Sequence, residues 1–327
     1  MNRPTSSMTL RQFYDSYVSP ICRKAKQIDP KTIALDLAAL KHWEALTDDP
    51  PLSDIDEYVT AAFVGELSQQ PGRRGQLMSP NTVIKHLVHL QYILDRAGPW
   101  QRKLGNTARL LSEPPAFPKP KARTVARPAL LSLDDMAAWM RAAADAQSPR
   151  MPSVDPGRWW KALISVAYNS ALRIDCLMRL EWDMLDEETG WLEVPAEIYK
   201  GHEHGGTFYL NQAARAALEP LRAWGYKRIF PWRSYPDSSS WLQEQRRRLW
   251  MKAGIDLPGC GFHTLRRTVL TWIAGQNDLV ARIVAGHAAG NDMLQGHYVN
   301  KEKVVPPMLE RVPQPVVSDQ MGLFEAA

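Results

Sequence analysis

Residues 113–128 read EPPAFPKPKARTVARP, with five prolines in sixteen positions. Proline lacks a backbone N–H and fixes φ, so no continuous helix can run through them. Most of the chain before and after that stretch is patterned as helix, so two mainly helical bodies joined by an extended strap are expected. The strap also carries Lys119, Lys121, Arg123 and Arg127, a spacing that suits a run along phosphates as well as an inert spacer. A chain of 327 residues, 45% hydrophobic, is long enough for two cores of ordinary size. No run approaches the roughly 18 apolar residues of a membrane helix, and the first residues lack the apolar segment of a secretory signal. A cytoplasmic protein with no membrane partner is expected. The net charge of +5 permits a polyanionic partner without demanding one.

From Thr9 to Gly98 apolar residues recur at three and four spacing in TLRQFYDSYV, IALDLAALKHWEAL and NTVIKHLVHLQYIL, the signature of amphipathic helices. About four helices and no strand are expected there. The last opens at Ser79 with Pro80 at its first position, a good start on both counts, and its polar face should carry Lys85, His86 and His89. Beyond the strap, Ser132 and Asp135 form an acidic capping box ahead of LDDMAAWMRAA. RWWKALISVAYNSALRIDCLMRLEWDML reads as two helices, and GWLEVPAEIYKGHEHGGTFYLN as two strands around a glycine-rich turn, with Lys200 ending the first strand. Helices resume in SSWLQEQRRRLWMKAGI, HTLRRTVLTWIAGQ and DLVARIVAGH. The last stretch, VVPPMLERVPQPVVSDQMGLFEAA, is proline-interrupted and is expected to be a loose tail or to order on a partner. No internal repeat is present.

Polar residues on these elements carry the chemistry. His263 and Arg266 lie one turn apart and share a helix face, with Leu265, Val269 and Leu270 left for burial. Arg173 opens a helix whose later positions are apolar, an odd place for an unpartnered charge. Lys200 precedes the turn GHEHGG, and His287 ends a helix before a glycine-bearing break. Tyr298, eleven residues on, is the sole tyrosine after Tyr235. His202 and His204 look like a metal tract, but without a cysteine or carboxylate pair they read as a solvated hairpin tip. Cys22, Cys176 and Cys260 are too far apart for a finger spacing.

The order Arg, Lys, His-x-x-Arg, His, Tyr resembles that of the tyrosine recombinases, or phage integrase family, along nearly the whole chain. The resemblance implies a mainly α protein of two domains. A helical core-binding (SAM-like) domain would span 1–112, a basic linker 113–130, a mostly helical catalytic domain with a small antiparallel sheet 131–303, and a tail 304–327. No arm-type domain is expected ahead of the first. The implied activity is site-specific cleavage and rejoining of duplex DNA through a 3′-phosphotyrosyl link, with no metal or nucleotide cofactor.

Metal-free transfer of a phosphodiester needs a nucleophile, donors for the charge on the non-bridging oxygens, and an acid for the leaving hydroxyl. Arg173 and Arg266 supply forked donors, which lysine could not imitate. Tyr298 is the nucleophile and His263 its base. By resemblance, His287 hydrogen-bonds a phosphate oxygen and Lys200 protonates the departing 5′-oxygen. The implied partners are paired inverted half-sites of double-stranded DNA and three further copies of the chain, with an accessory DNA-bending or directionality factor as an additional possibility. Lys85, His86, His89, Lys119, Lys121, Arg123, Arg246 and Arg247 are the candidate DNA contacts. In the tail, Leu309, Met321, Leu323 and Phe324 are expected to anchor on a neighbouring copy.

Two features depart from the family pattern. The acid usual three places after the first arginine is replaced by Cys176, with Asp175 beside it, and the step from His287 to Tyr298 is two residues longer than the commonest one. A type IB topoisomerase is the enzyme alternative, and a catalytically silent DNA-binding regulator the non-enzyme one.

Overall fold

The computed structural model describes residues 3–72, 75–101, 105–122, 129–199, 205–233, 235–255, 257, 261–286 and 300–317. Lys200, Arg123, His202, His204, His287, Tyr298, Met321, Leu323 and Phe324 lie outside the described residues. Contacts divide the chain into two compact units, Met1–Ala126 and Arg127–Ala327.

In the first unit Thr9 caps α1 (Leu10–Phe13), which passes into a π-helical segment, Tyr14–Lys24, around Pro20. A proline inside a helix removes one backbone donor, and a wide turn accommodates the loss. Next come α2 (Pro30–Thr47), α3 (Glu57–Gln69) and α4 (Pro80–Asp95). The expected start of α4 holds, since Ser79 accepts from Thr82 N–H with Pro80 in the first turn. Val83, Leu87, Leu90, Ile93 and Leu94 of α4 are buried, at the three and four spacing read in the sequence.

Two expectations for this unit need correction. His89 does not belong to a solvated face: its Nδ1 meets Asp36 Oδ1 at 2.7 Å, and Arg23 pairs with the same buried carboxylate through Nε (2.7 Å) and Nη2 (3.0 Å). A carboxylate inside a helical core needs such partners, and His89 is drawn inward to supply one. The strap, too, begins later than Glu113. Phe117 is buried edge-on against Trp43 and Phe63, its N–H donates to Gln91 Oε1 at 2.9 Å, and the Ala116 carbonyl accepts from Thr60.

The second unit opens with α5 (Leu133–Ala143), where the predicted capping box forms between Ser132 and Asp135. α6 (Pro156–Ser170) is buried on nearly every side, as befits a central helix. Its own Trp159 and Trp160 share the core with Trp139, Trp232, Trp250, Phe230 and Phe262. α7 (Ile174–Leu177) is a single turn, shorter than the expected second helix. The chain beyond it pairs sideways, Ile229 N–H donating to the Leu180 carbonyl and Trp182 N–H to that of Lys227.

Strands β1 (Trp191–Val194) and β2 (Gly206–Tyr209) form an antiparallel pair in the register Leu192 to Phe208. β1 stops at Val194 before Pro195, so the predicted strand does not reach position 199. The remaining helices are α8 (Gln212–Leu218), α9 (Ser239–Lys252), α10 (Phe262–Gln276), α11 (Asp278–Val284) and α12 (Lys301–Leu309). No described helix is long and apolar enough to cross a membrane.

α12 corrects the tail. Despite Pro306 and Pro307 it is helical, and Val305, Leu309 and Val312 are buried in their own unit. Leu309 is therefore an internal anchor, its carbonyl accepting from Asn211 at 2.8 Å. Gln314 continues the attachment by donating to Asn169 at 2.7 Å.

Candidate active site

Arg266 is the most deeply set of the described residues among the six predicted catalytic ones, 4% exposed on α10. Its Nη2 donates to the Ala285 carbonyl at 2.6 Å and its Nη1 to the carbonyl of Ala171. These acceptors end two other helices: Ala171 closes α6 in a left-handed conformation, φ 54°, and Ala285 follows α11. Helix ends leave carbonyls without intrahelical partners, and one guanidinium serves both. Burial, then the neighbouring Arg173 charge, lowers its pKa to about 10.

Arg173 stands two residues beyond Ala171, at the N-cap of α7. Its Nη1 is buried and finds no acceptor among the described residues. Asp175 does not neutralise it, because that carboxylate accepts from Tyr235 at 2.9 Å and pairs with Arg179 at 3.2 Å. The Cys176 thiol is pushed up to about 12, chiefly by burial, and so stays protonated at neutral pH. The Tyr199 hydroxyl donates to the Gly286 carbonyl at 3.0 Å, and burial raises the pKa of this phenol against the opposing charges of Arg173 and Arg266.

His263, one turn before Arg266, is an exposed residue. Partial burial and the charges of Arg267, Arg266 and Arg173 hold its pKa below the ordinary imidazole value. It is thus a neutral ring, in the form that accepts a proton, beside a cationic pocket. Of the six predicted residues, Arg173, His263 and Arg266 are thus brought together, while Lys200, His287 and Tyr298 fall outside the described residues. The described residues next to two of those are nonetheless joined, since Tyr199 precedes Lys200, Gly286 precedes His287, and the two share a hydrogen bond.

Ala171, Tyr199, Ala285 and Gly286 escaped the sequence reading. Three of them act through backbone carbonyls, which leave no side-chain signal. Only Gly286 carried a legible mark, a glycine directly after a helix.

Lys85, Lys119 and Lys121 are exposed. His86 is half-buried with its ring edge-on to His42 at 4.8 Å, and burial first, then His42, lowers it to about 4. On α9, Arg246 bonds Gln243 at 3.1 Å and lies over Trp250. Arg247 grips Glu244 with two bonds of 2.9 Å.

The family model described as the phage integrase family matches residues 146–303. No curated protein matches the chain in sequence. Among solved structures it is similar to lambda integrase, in a dimer bound to a COC′ core site, with a TM-score of 0.63 at 19% identity over 90% of this chain and 80% of that one. The lambda integrase tetramer bound to a Holliday junction gives 0.63 and 19% over 88% and 80%. The Tn1549 transposon integrase in complex with transposon right end DNA gives 0.63 at 12% identity over 93% and 99%. At such identities the likeness is one of fold, and it extends over both units. Residues 146–303, whose Arg173, His263 and Arg266 lie together in the fold, are thus a domain of the phage integrase family, the tyrosine recombinases.

Proposed function

We propose that the chain is a site-specific DNA recombinase that cleaves and rejoins duplex DNA through a 3′-phosphotyrosyl link. The observation that carries this reading is the cation pair Arg173 and Arg266: one guanidinium is buried, the other holds a buried Nη1 without an acceptor among the described residues, and the nearby carboxylate is engaged elsewhere. Two like charges in a desolvated pocket are costly unless an anion completes them. A phosphodiester is that anion, and the solved relatives bound to core-site and transposon-end DNA support the choice.

In this reading Arg173 and Arg266 neutralise the non-bridging oxygens as charge grows in the transition state. The Tyr298 phenol attacks phosphorus and gives its proton to His263, which burial and then the surrounding cations keep neutral and ready to accept it. The bond from phosphorus to the 5′-oxygen breaks, and Lys200 protonates the departing hydroxyl. His287 donates to a phosphate oxygen. Rejoining reverses the sequence, so bond energy is retained and neither ATP nor a metal enters.

Residues 1–112 would act as the core-binding domain and 131–303 as the catalytic one, with Lys85, Lys119 and Lys121 on DNA phosphates. Four copies would pair two sites, as in the relative seen on a Holliday junction.

The test is a denaturing gel of nicked duplexes from DNA flanking the encoding gene, incubated in EDTA with wild type and with Tyr298→Phe. A protein-linked strand is expected for wild type alone, with duplex binding equal in both. Arg173→Ala should slow the linkage by about 10² or more. Equal linkage by Tyr298→Phe, or a strict need for magnesium, rejects the mechanism.

A further inference from the structure

The second unit holds a cavity of about 540 Å³ that the strand-transfer reading leaves unused. Its walls come from the segment after α5, the turn ahead of α9 and one side of α9, and none of Arg173, His263 and Arg266 lines it. Its volume falls in the range of small-ligand sites, about 300–1,000 Å³.

Three guanidiniums reach this cavity, those of Arg150, Arg233 and Arg248, and no carboxylate lines it. Arg150 Nε donates to the Gln147 carbonyl at 3.3 Å and Arg248 Nε to Glu244 at 3.1 Å, which leaves their Nη donors for another acceptor. Glu244 is shared with Arg247, so the cavity keeps an excess of positive charge, and an anion relieves it. Beside these cations stands Trp241, 48% exposed, with the Arg248 guanidinium 5.5 Å over its ring. A large indole left open next to a cation is a stacking platform for a planar ring. The buried Nε2 of Gln245, also in the lining, has no acceptor among the described residues, and a buried amide calls for one. The back wall is rigid, since Trp232 is buried and packs on Trp159 with centroids 5.2 Å apart.

We infer that this cavity binds a nucleotide, with its base stacked on Trp241, an acceptor on the base edge meeting Gln245, and its phosphate among Arg150, Arg233 and Arg248. A free nucleotide and a stretch of single-stranded DNA both present this chemistry. An acidic peptide would satisfy the arginines but leave the indole face and the amide unused.

The experiment is equilibrium dialysis of the full-length protein in EDTA against labelled ATP, a short oligothymidylate, inorganic triphosphate and a polyglutamate peptide. Wild type is compared with Trp241→Ala and Arg233→Gln. Both residues are exposed, so neither change should move the unfolding midpoint. Saturable binding of ATP or oligothymidylate is expected, at least about 10-fold tighter than that of triphosphate. Trp241→Ala should weaken it about 10-fold or more, the worth of one stacked base, and Arg233→Gln should weaken it severalfold. Tighter binding of oligothymidylate identifies the single strand as the source, and tighter binding of ATP the free nucleotide.

Triphosphate held as tightly as ATP and oligothymidylate would reduce the site to bare charge and overturn the inference. Binding that Trp241→Ala leaves unchanged belongs to another surface and overturns it equally, as does the absence of saturable binding by either nucleotide probe. Polyglutamate held more tightly than both nucleotide probes, and lost in Trp241→Ala, would assign the cavity to a peptide instead. None of these outcomes depends on strand linkage, so the strand-transfer reading stands or falls separately.

Discussion

His263 has three cations for neighbours, Arg267, Arg266 and Arg173, and these add to burial in holding its pKa below the ordinary imidazole value of about 6.5. A base acts in its neutral form, and a lowered pKa postpones protonation to lower pH. The acid limb of the cleavage rate should therefore fall below the usual histidine range. Arg267 also donates to the Ala129 carbonyl at 3.3 Å, so Arg267→Gln, which keeps a donor and removes the charge, is the cleaner probe. Single-turnover rates across pH should show its acid limb displaced upward, and a downward displacement would reject His263 as the base. At this scale Arg173, His263 and Arg266 were legible because each is a charged or polar residue where an apolar one is expected. Tyr199 was not legible, because a tyrosine after a strand reads equally well as packing.

Among the elements, α12 shows most plainly how packing overrides local preference. Two prolines within nine residues argue against a helix. Burial of Val305, Leu309 and Val312, with the carbonyl of Leu309 bonded to Asn211, outweighs that preference. Leu309→Ala should then cost about 2–5 kcal/mol, the range for emptying a buried leucine site, read by denaturant unfolding of the chain without DNA. If stability is unchanged and only assembly on DNA suffers, Leu309 is an intermolecular anchor after all. The start of the strap was misjudged for a related reason. Phe117 lies in a proline-rich run, and only the space beside Trp43 and Phe63 turns that run into core.

At the scale of the whole molecule, the net charge of +5 is modest for a protein that would track a polyanion, so affinity must come from particular exposed cations. Log affinity for duplex DNA should fall linearly with log salt. Lys85→Ala and Lys119→Ala should each reduce that slope by about one if the lysine meets a phosphate, measured by titration at several salt concentrations. An unchanged slope removes the residue from the interface. His89 is not expected to matter in this way, since it is committed to Asp36.

The sequence by itself determined the helical character of both units, the caps at Ser79 and Ser132, the small sheet, and the residue types of a phosphate clamp. Those features rest on periodicity, local hydrogen bonding and charge placed against an apolar pattern, all of which act over a few neighbours. Only the tertiary structure decided that Asp175 turns from Arg173 toward Tyr235 and that His89 turns inward. It also decided that Arg266 joins the ends of α6 and α11 and that Tyr199 meets Gly286. Such contacts join residues distant in the chain, and the partner of a buried polar group is chosen by which elements pack together, a choice no local spacing encodes.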